Sequence, residues 1–106
     1  MTSTELNFTG EYFIPGKSGE RIEADHLERY RFARKFSRGK SVLDIACGVG
    51  YAGPIFIEAG AVSYDGIDIN EKLIEYAGKT YGSNSINYFL GDICKFNNKK
   101  SYELVT

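Results

Sequence analysis

The stretch VLDIACGVGYAG at residues 42–53 constrains this chain more than any other. An apolar run carrying one carboxylate, Asp44, breaks into Gly48, Gly50 and Gly53, which is the spacing G-x-G-x-x-G. Glycines at that spacing let the backbone take left-handed turns and approach a ligand or a neighbouring element closely. They join a buried strand to a helix in parallel α/β sheets that bind nucleotide cofactors. Asp44 is a poor neighbour for a pyrophosphate, because it stands four residues ahead of the first glycine of the turn. Like charges a few Å apart in such a crevice repel by several kcal/mol, of the order of ~4 at an effective dielectric near 20. A cationic ligand with an adenosine end suits the acid and the glycines together.

The flanking sequence supports a sheet with crossover helices. Residues 1–19 are rich in small polar residues and punctuated by Pro15 and Gly16, with Phe8, Tyr12, Phe13 and Ile14 as aromatic and apolar anchors. They read as an irregular arm. From Glu20 the apolar positions Ile22, Leu27, Tyr30, Ala33 and Phe36 recur at helical spacing, and Gly39 ends the helix behind Arg34, Lys35 and Arg38. Strands are predicted at 41–46, 61–69, 86–90 and 102–106. Between the first three lie a short helix at 54–59, closed by Gly60, and a helix beginning after Asn70 with the stripe Leu73, Ile74, Ala77 and Tyr81. Strands alternating with helices across short loops form a parallel sheet with right-handed crossovers. The organisation expected is an arm and lead-in helix over 1–40 and a partial α/β unit over 41–106, truncated after its fourth strand.

Each of the first three strands ends at or near an acid: Asp44, Asp68 and Asp92, equally spaced along the chain. One strand plus one crossover occupies each interval. All three acids are therefore expected at the C-terminal edge of the sheet, where open α/β sheets bind ligands.

With these residues in place, residues 40–106 resemble the class I S-adenosylmethionine-dependent methyltransferases. VLDIACGVG matches their first motif through Asp44, Gly48 and Gly50, with Ala46 where that family has its first glycine. GIDIN matches the second-strand acid through Asp68, GDI the third-strand acid through Asp92, and YELVT the fourth strand, with Glu103 in place of the usual Asp. The resemblance implies a Rossmann-like parallel sheet with flanking helices and S-adenosylmethionine as cofactor. It further implies that Gly48 and Gly50 pass under the methionine portion and that Asp44 helps hold the ammonium. Asp68 would accept both ribose hydroxyls, Ile69 would pack on adenine, and Asp92 with Ile93 would contact the adenine amino edge. GEYFIP and DHLERYRFA resemble the lead-in of bacterial members linked to sugar or cell-surface glycan chemistry, which implies a small-molecule or glycan-related methyl acceptor. Tyr12, Phe13 and Tyr30 are candidates for a lid over the cofactor.

Each of these residues also has a structural reading. The glycines can serve a tight turn, Asp68 can cap the helix after it, and Asp92 can belong to a G-D turn. The three tyrosyl and phenyl rings can simply anchor the arm on the core. Cys47 reads as a small buried filler, and His26, the single histidine, as structural or solvated. Two cysteines make neither a disulfide framework nor a zinc site. A net charge of -1 gives no nucleic-acid footprint, and the basic run at 29–40 reads as a solvated helix face. No apolar run is long enough to span a bilayer, and no secretory start is present, so a cytoplasmic setting is expected. The competing functions are a nicotinamide-dependent oxidoreductase using the same glycine pattern and a non-catalytic cofactor-binding fragment. A chain ending in its fourth strand is also expected to self-associate along that strand's open edge.

Overall fold

A computed structural model describes the chain at residues 20–95 and 101–106. Its elements are α1 (Glu20–Ala33), β1 (Ser41–Ile45), α2 (Ala52–Glu58), β2 (Ser63–Asp68), α3 (Glu71–Tyr81), β3 (Ile86–Leu90) and β4 (Leu104–Val105). The four strands form one parallel sheet in the order β3-β2-β1-β4. The chain steps outward from β1 to β3, then crosses back to place β4 on the other side of β1. That reversal makes the space beyond β1 and β4 the switch point of the sheet, where ligands of this fold class bind.

Local chemistry accounts for the element ends. Asn70 caps α3 by accepting the Leu73 N–H at 3.2 Å, and Leu73 and Ala77 bury the helix face. α2 starts two residues earlier than its proline suggests, and Pro54 still falls in the first turn, where its missing N–H costs nothing. α2 closes with Gly60 at φ 104, whose N–H bonds to Ile57 O while the Ala61 N–H bonds to Phe56 O. This paired closure satisfies the last carbonyls and needs a residue free to take positive φ. It also draws Ala61 and Val62 out of the predicted second strand. β4 is short, but backbone bonds from Glu103 N to Ser41 O and from Thr106 N to Leu43 O extend its ladder with β1.

Leu43 and Ile67 are buried on one face of the sheet, and the main hydrophobic cluster lies on the other. Val42, Tyr64 and Ile86 pack there against Phe56, Val49, Leu73 and Tyr30. Phe56 stacks on Tyr64 with centroids 5.9 Å apart, and Tyr30 meets Tyr51 and Phe56 edge-on. Leu27 and Ala33 flank this cluster as the helical spacing predicts, but Phe36 does not join it. The chain tightens into a 3₁₀ turn over Arg34–Phe36, which rotates each residue further round the axis than an α-helix does. Phe36 is left 52% exposed, against Phe32 at 5.6 Å. The side chains of Ile22 and His26 and the arm with Tyr12 and Phe13 lie outside the described residues. No helix among the described residues is long and apolar enough to cross a membrane.

Candidate functional site

The C-terminal ends of the strands carry two neighbouring cavities that share Ile45 and Ala46. The first, of about 160 Å³, is bounded by those two residues, by Asp68 and Ile69 after β2, and by Asp92 and Ile93 after β3. The second, of about 200 Å³, lies at the switch point between Arg29 and Tyr30 of α1, Asp44 of β1 and Thr106 beyond β4. Five predicted site residues therefore line one cleft, and Asp44 and Tyr30 line its neighbour.

The three acids do not meet in one open crevice as expected. The register pairs Asp44 with Gly66 and Asp68 with Leu90, so Asp44 sits two residues deeper in the sheet than Asp68. Asp44 is 1% exposed, and its carboxylate lies beneath two phenols. The Tyr64 hydroxyl donates to Oδ2 at 2.5 Å and the Tyr30 hydroxyl donates to the same oxygen at 3.2 Å. Burial pushes the Asp44 pKa up to about 6; the two hydroxyl donors and the Arg29 charge restrain that rise. Burial, and then the negative field of Asp44, push both tyrosines well above the usual phenol range. They remain neutral donors. Tyr30 thus packs in the core, only 5% exposed, and floors the second cavity.

Asp68 ties the site together. Its Oδ2 accepts the Gly48 N–H at 3.0 Å and its Oδ1 accepts the Asn70 N–H at 2.9 Å, in a turn ahead of α3, whose cap is Asn70 and not Asp68. An ionised carboxylate has about four lone-pair directions, and two remain for a ligand. Asp92 is exposed, and its Oδ1 accepts the Cys94 N–H at 2.9 Å, which is the turn reading. Ile69 stands 76% exposed and Ile93 39% exposed at the mouth of the same cleft. Covering an exposed isoleucine fully is worth about 1.5–3 kcal/mol.

The glycines divide into two groups. A Cβ on Gly48 would meet nothing within 4 Å, and its φ of +60 is the left-handed conformation that glycine takes without cost. On Gly50, with φ +85, a Cβ would lie 2.6 Å from both Ala77 Cβ and Tyr88 Cε1. On Gly53 it would lie 2.6 Å from the Tyr88 hydroxyl oxygen. Gly50 and Gly53 are small to admit the Tyr88 ring, whose hydroxyl donates to Gly50 O at 2.5 Å, and no ligand is needed to explain them. Ala46, where the resembled family has glycine, is held at φ 58. For a residue with a Cβ that conformation costs roughly 1–2 kcal/mol, so the substitution affects the backbone as well as the bulk of the site.

Three contributors escaped the sequence reading: Tyr64, Tyr88 and Arg29. The available signal was Gly66, a glycine inside a strand, which marks close approach of a neighbour. Asp44, Gly66 and Tyr88 are side by side across β1, β2 and β3. Cys47 Sγ and Tyr88 Cδ1 fill the space that a Gly66 side chain would take. Cys47 is buried, as expected, and burial pushes its thiol well above the usual range.

The sequence profile of the family described as methyltransferase domain matches residues 42–106, more than half of the chain. The chain belongs to this methyltransferase family. Solved structures agree on the fold. Magnesium protoporphyrin IX methyltransferase from Synechocystis PCC 6803, with bound SAH, superposes with a TM-score of 0.66 at 25% identity, over 85% of this chain and 46% of that one. The same methyltransferase with bound SAM gives 0.64 at 26% identity, over 79% and 44%. An S-adenosylmethionine-dependent methyltransferase from Mesorhizobium loti gives 0.64 at 25% identity, over 76% and 37%. The chain thus spans less than half the length of these solved methyltransferases. No curated protein matches its sequence.

Proposed function

We propose that this chain is the cofactor-binding part of an S-adenosylmethionine-dependent methyltransferase acting on a small-molecule or glycan-related acceptor. The observation that carries this reading is the pair of cavities joined at Ala46 on the C-terminal edge of the sheet. One is apolar-lipped with two carboxylates, and the other holds a buried acid and a cation. An extended ligand with a flat nucleoside at one end and a charged amino acid at the other fits that division. In this reading the ribose diol donates to the free lone pairs of Asp68, adenine covers Ile69 and Ile93, and Asp92 accepts from its amino group. Gly48 leaves open space for the methionine portion, and the negative field of Asp44 favours the ammonium and the sulfonium. S-adenosylmethionine supplies an activated methyl group, and the chain's own residues supply orientation, which is the larger share of what a protein adds to such a transfer. The acceptor class rests on the lead-in segments GEYFIP and DHLERYRFA.

Calorimetric titration with S-adenosylmethionine, S-adenosylhomocysteine and NADH tests the reading. The first two should bind and NADH should not. Asp68→Ala removes charge-assisted acceptors worth about 1.5–3 kcal/mol each, so it should weaken S-adenosylmethionine at least about tenfold. Micromolar NADH binding without S-adenosylmethionine binding would overturn it in favour of a nicotinamide enzyme.

A further inference from the structure

The turn between β1 and α2 is strained along its length: Ala46, Gly48 and Gly50 have positive φ, at 58, 60 and 85. Backbone in such conformations persists only where its surroundings over-determine it. Asp68 supplies part of the restraint from β2 by accepting the Gly48 N–H. Tyr88 supplies another part from β3. Its hydroxyl donates to Gly50 O at 2.5 Å, and the Gly53 N–H donates to the same oxygen at 3.2 Å. Both lone pairs of that carbonyl are then engaged. Burial, and then the neighbouring Cys47, push the Tyr88 phenol well above its usual range, so it stays a neutral donor.

Tyr88 reaches a turn two strands away because β2 leaves it a path. Gly66 stands between Asp44 and Tyr88 in the register, and a Cβ there would lie 2.9 Å from Tyr88 Cδ1. At Gly50 and Gly53 a Cβ would lie 2.6 Å from an atom of the same side chain. Tyr64 meets the ring edge-on, with centroids 5.8 Å apart. Glycines from both β2 and the turn thus make room for one side chain, and that side chain ends on the turn's own carbonyl. Gly48 differs, since a Cβ there would meet nothing within 4 Å and the turn faces open space at that point. We propose that Tyr88 is a positioning residue for cofactor binding, which clamps the Gly50 carbonyl and so keeps the Gly48 side of the turn in the shape that receives the cofactor's amino-acid end. The inference rests on the reading of this site as an S-adenosylmethionine site and adds to it a residue of β3 that acts through the turn. A turn held in advance loses less freedom when the ligand arrives, and the ligand binds more tightly for it.

The test uses Tyr88→Phe, which keeps the ring that fills the gaps and removes only the hydroxyl. S-adenosylhomocysteine and methylthioadenosine are titrated calorimetrically into the full chain and into this variant. The second ligand keeps the adenosine and the sulfur and lacks the amino-acid end. Tyr88→Phe should weaken S-adenosylhomocysteine about five- to tenfold, as loss of one neutral hydrogen bond implies, and leave methylthioadenosine within about twofold of the parent. Amide hydrogen exchange on the ligand-free chain reads the clamp directly. In the variant, exchange at Gly50 and Gly53 should rise at least about fivefold more than at the strand amides of Val42 and Tyr64. Equal weakening of both ligands would overturn the proposal, since a merely structural role affects both. So would unchanged binding of S-adenosylhomocysteine, or a rise in exchange shared equally by the turn and the strands. If the parent chain binds neither ligand, the cofactor reading fails and takes the positioning role with it, while the exchange data still report whether Tyr88 holds the turn.

Discussion

Alanine substitution at Gly48 and at Gly50 should separate the two jobs done by the glycine turn. Both residues have positive φ, so each alanine incurs roughly 1–2 kcal/mol of left-handed strain. Each also recovers about 0.4–1 kcal/mol from the stiffer unfolded chain. There the two sites part. The new methyl group at Gly48 enters open space, whereas at Gly50 it overlaps Ala77 Cβ and Tyr88 Cε1 at 2.6 Å and Tyr88 Cζ at 2.8 Å. Neither neighbour is the end of a flexible side chain: Ala77 is on a helix and the Tyr88 ring is held through Gly50 O. Overpacking of that kind adds about 1–3 kcal/mol. Gly50→Ala should therefore destabilise the fold by roughly 2–4 kcal/mol and Gly48→Ala by about 1 or less. For a domain of this size, 1 kcal/mol moves Tm by roughly 4–8 °C. Thermal unfolding followed by circular dichroism should show Gly50→Ala melting at least about 10 °C below the parent and Gly48→Ala within about 6 °C of it. The ligand side reverses the order of interest: Gly48→Ala should fold and yet lose affinity for S-adenosylmethionine. If the two variants melt together, the assignment of Gly50 to Tyr88 is wrong.

Two further outcomes follow from the polar groups beneath the site. Tyr88→Phe removes the hydroxyl that donates to the Gly50 carbonyl and should cost about 1 kcal/mol in urea unfolding; an unchanged midpoint would mean that the turn does not need this tether. Asp44 has a folded pKa of about 6, raised from 3.8 chiefly by burial. Between those values the folded state holds a proton that the unfolded state has lost, so this group's stabilisation is present at low pH and declines as pH rises through 6. Subtracting the unfolding free energy of Asp44→Asn from that of the parent isolates the effect, and the difference should fall by a few kcal/mol, of the order of ~3, from pH 4 to pH 7. A difference that is flat, or that grows with pH, would show that Asp44 is not desolvated in the fold.

Much of this protein is determined locally and is legible in its residues. Alternating apolar runs and glycine or asparagine punctuation place β1, β2, β3 and α3 within a few residues, because strand and helix periods and caps depend on near neighbours. The position of Asp68, Ile69, Asp92 and Ile93 at one cleft follows from strand direction alone, since parallel strands bring their C-terminal ends to the same edge. The depth of Asp44 was not available from spacing. It depends on the register that pairs Asp44 with Gly66 and on Tyr30 and Tyr64, which reach it from α1 and β2. The rotation of Phe36 off the core face depends on a 3₁₀ tightening that no periodicity records. The purpose of Gly50 and Gly53 is likewise tertiary, because the side chain that needs their space, Tyr88, arrives from a distant strand. Contacts that join residues far apart in the chain set burial, and burial sets both the acid's protonation and the room around each glycine. A sequence can name the acid and the glycines, but only the packed sheet decides which of them meet a ligand and which meet the protein.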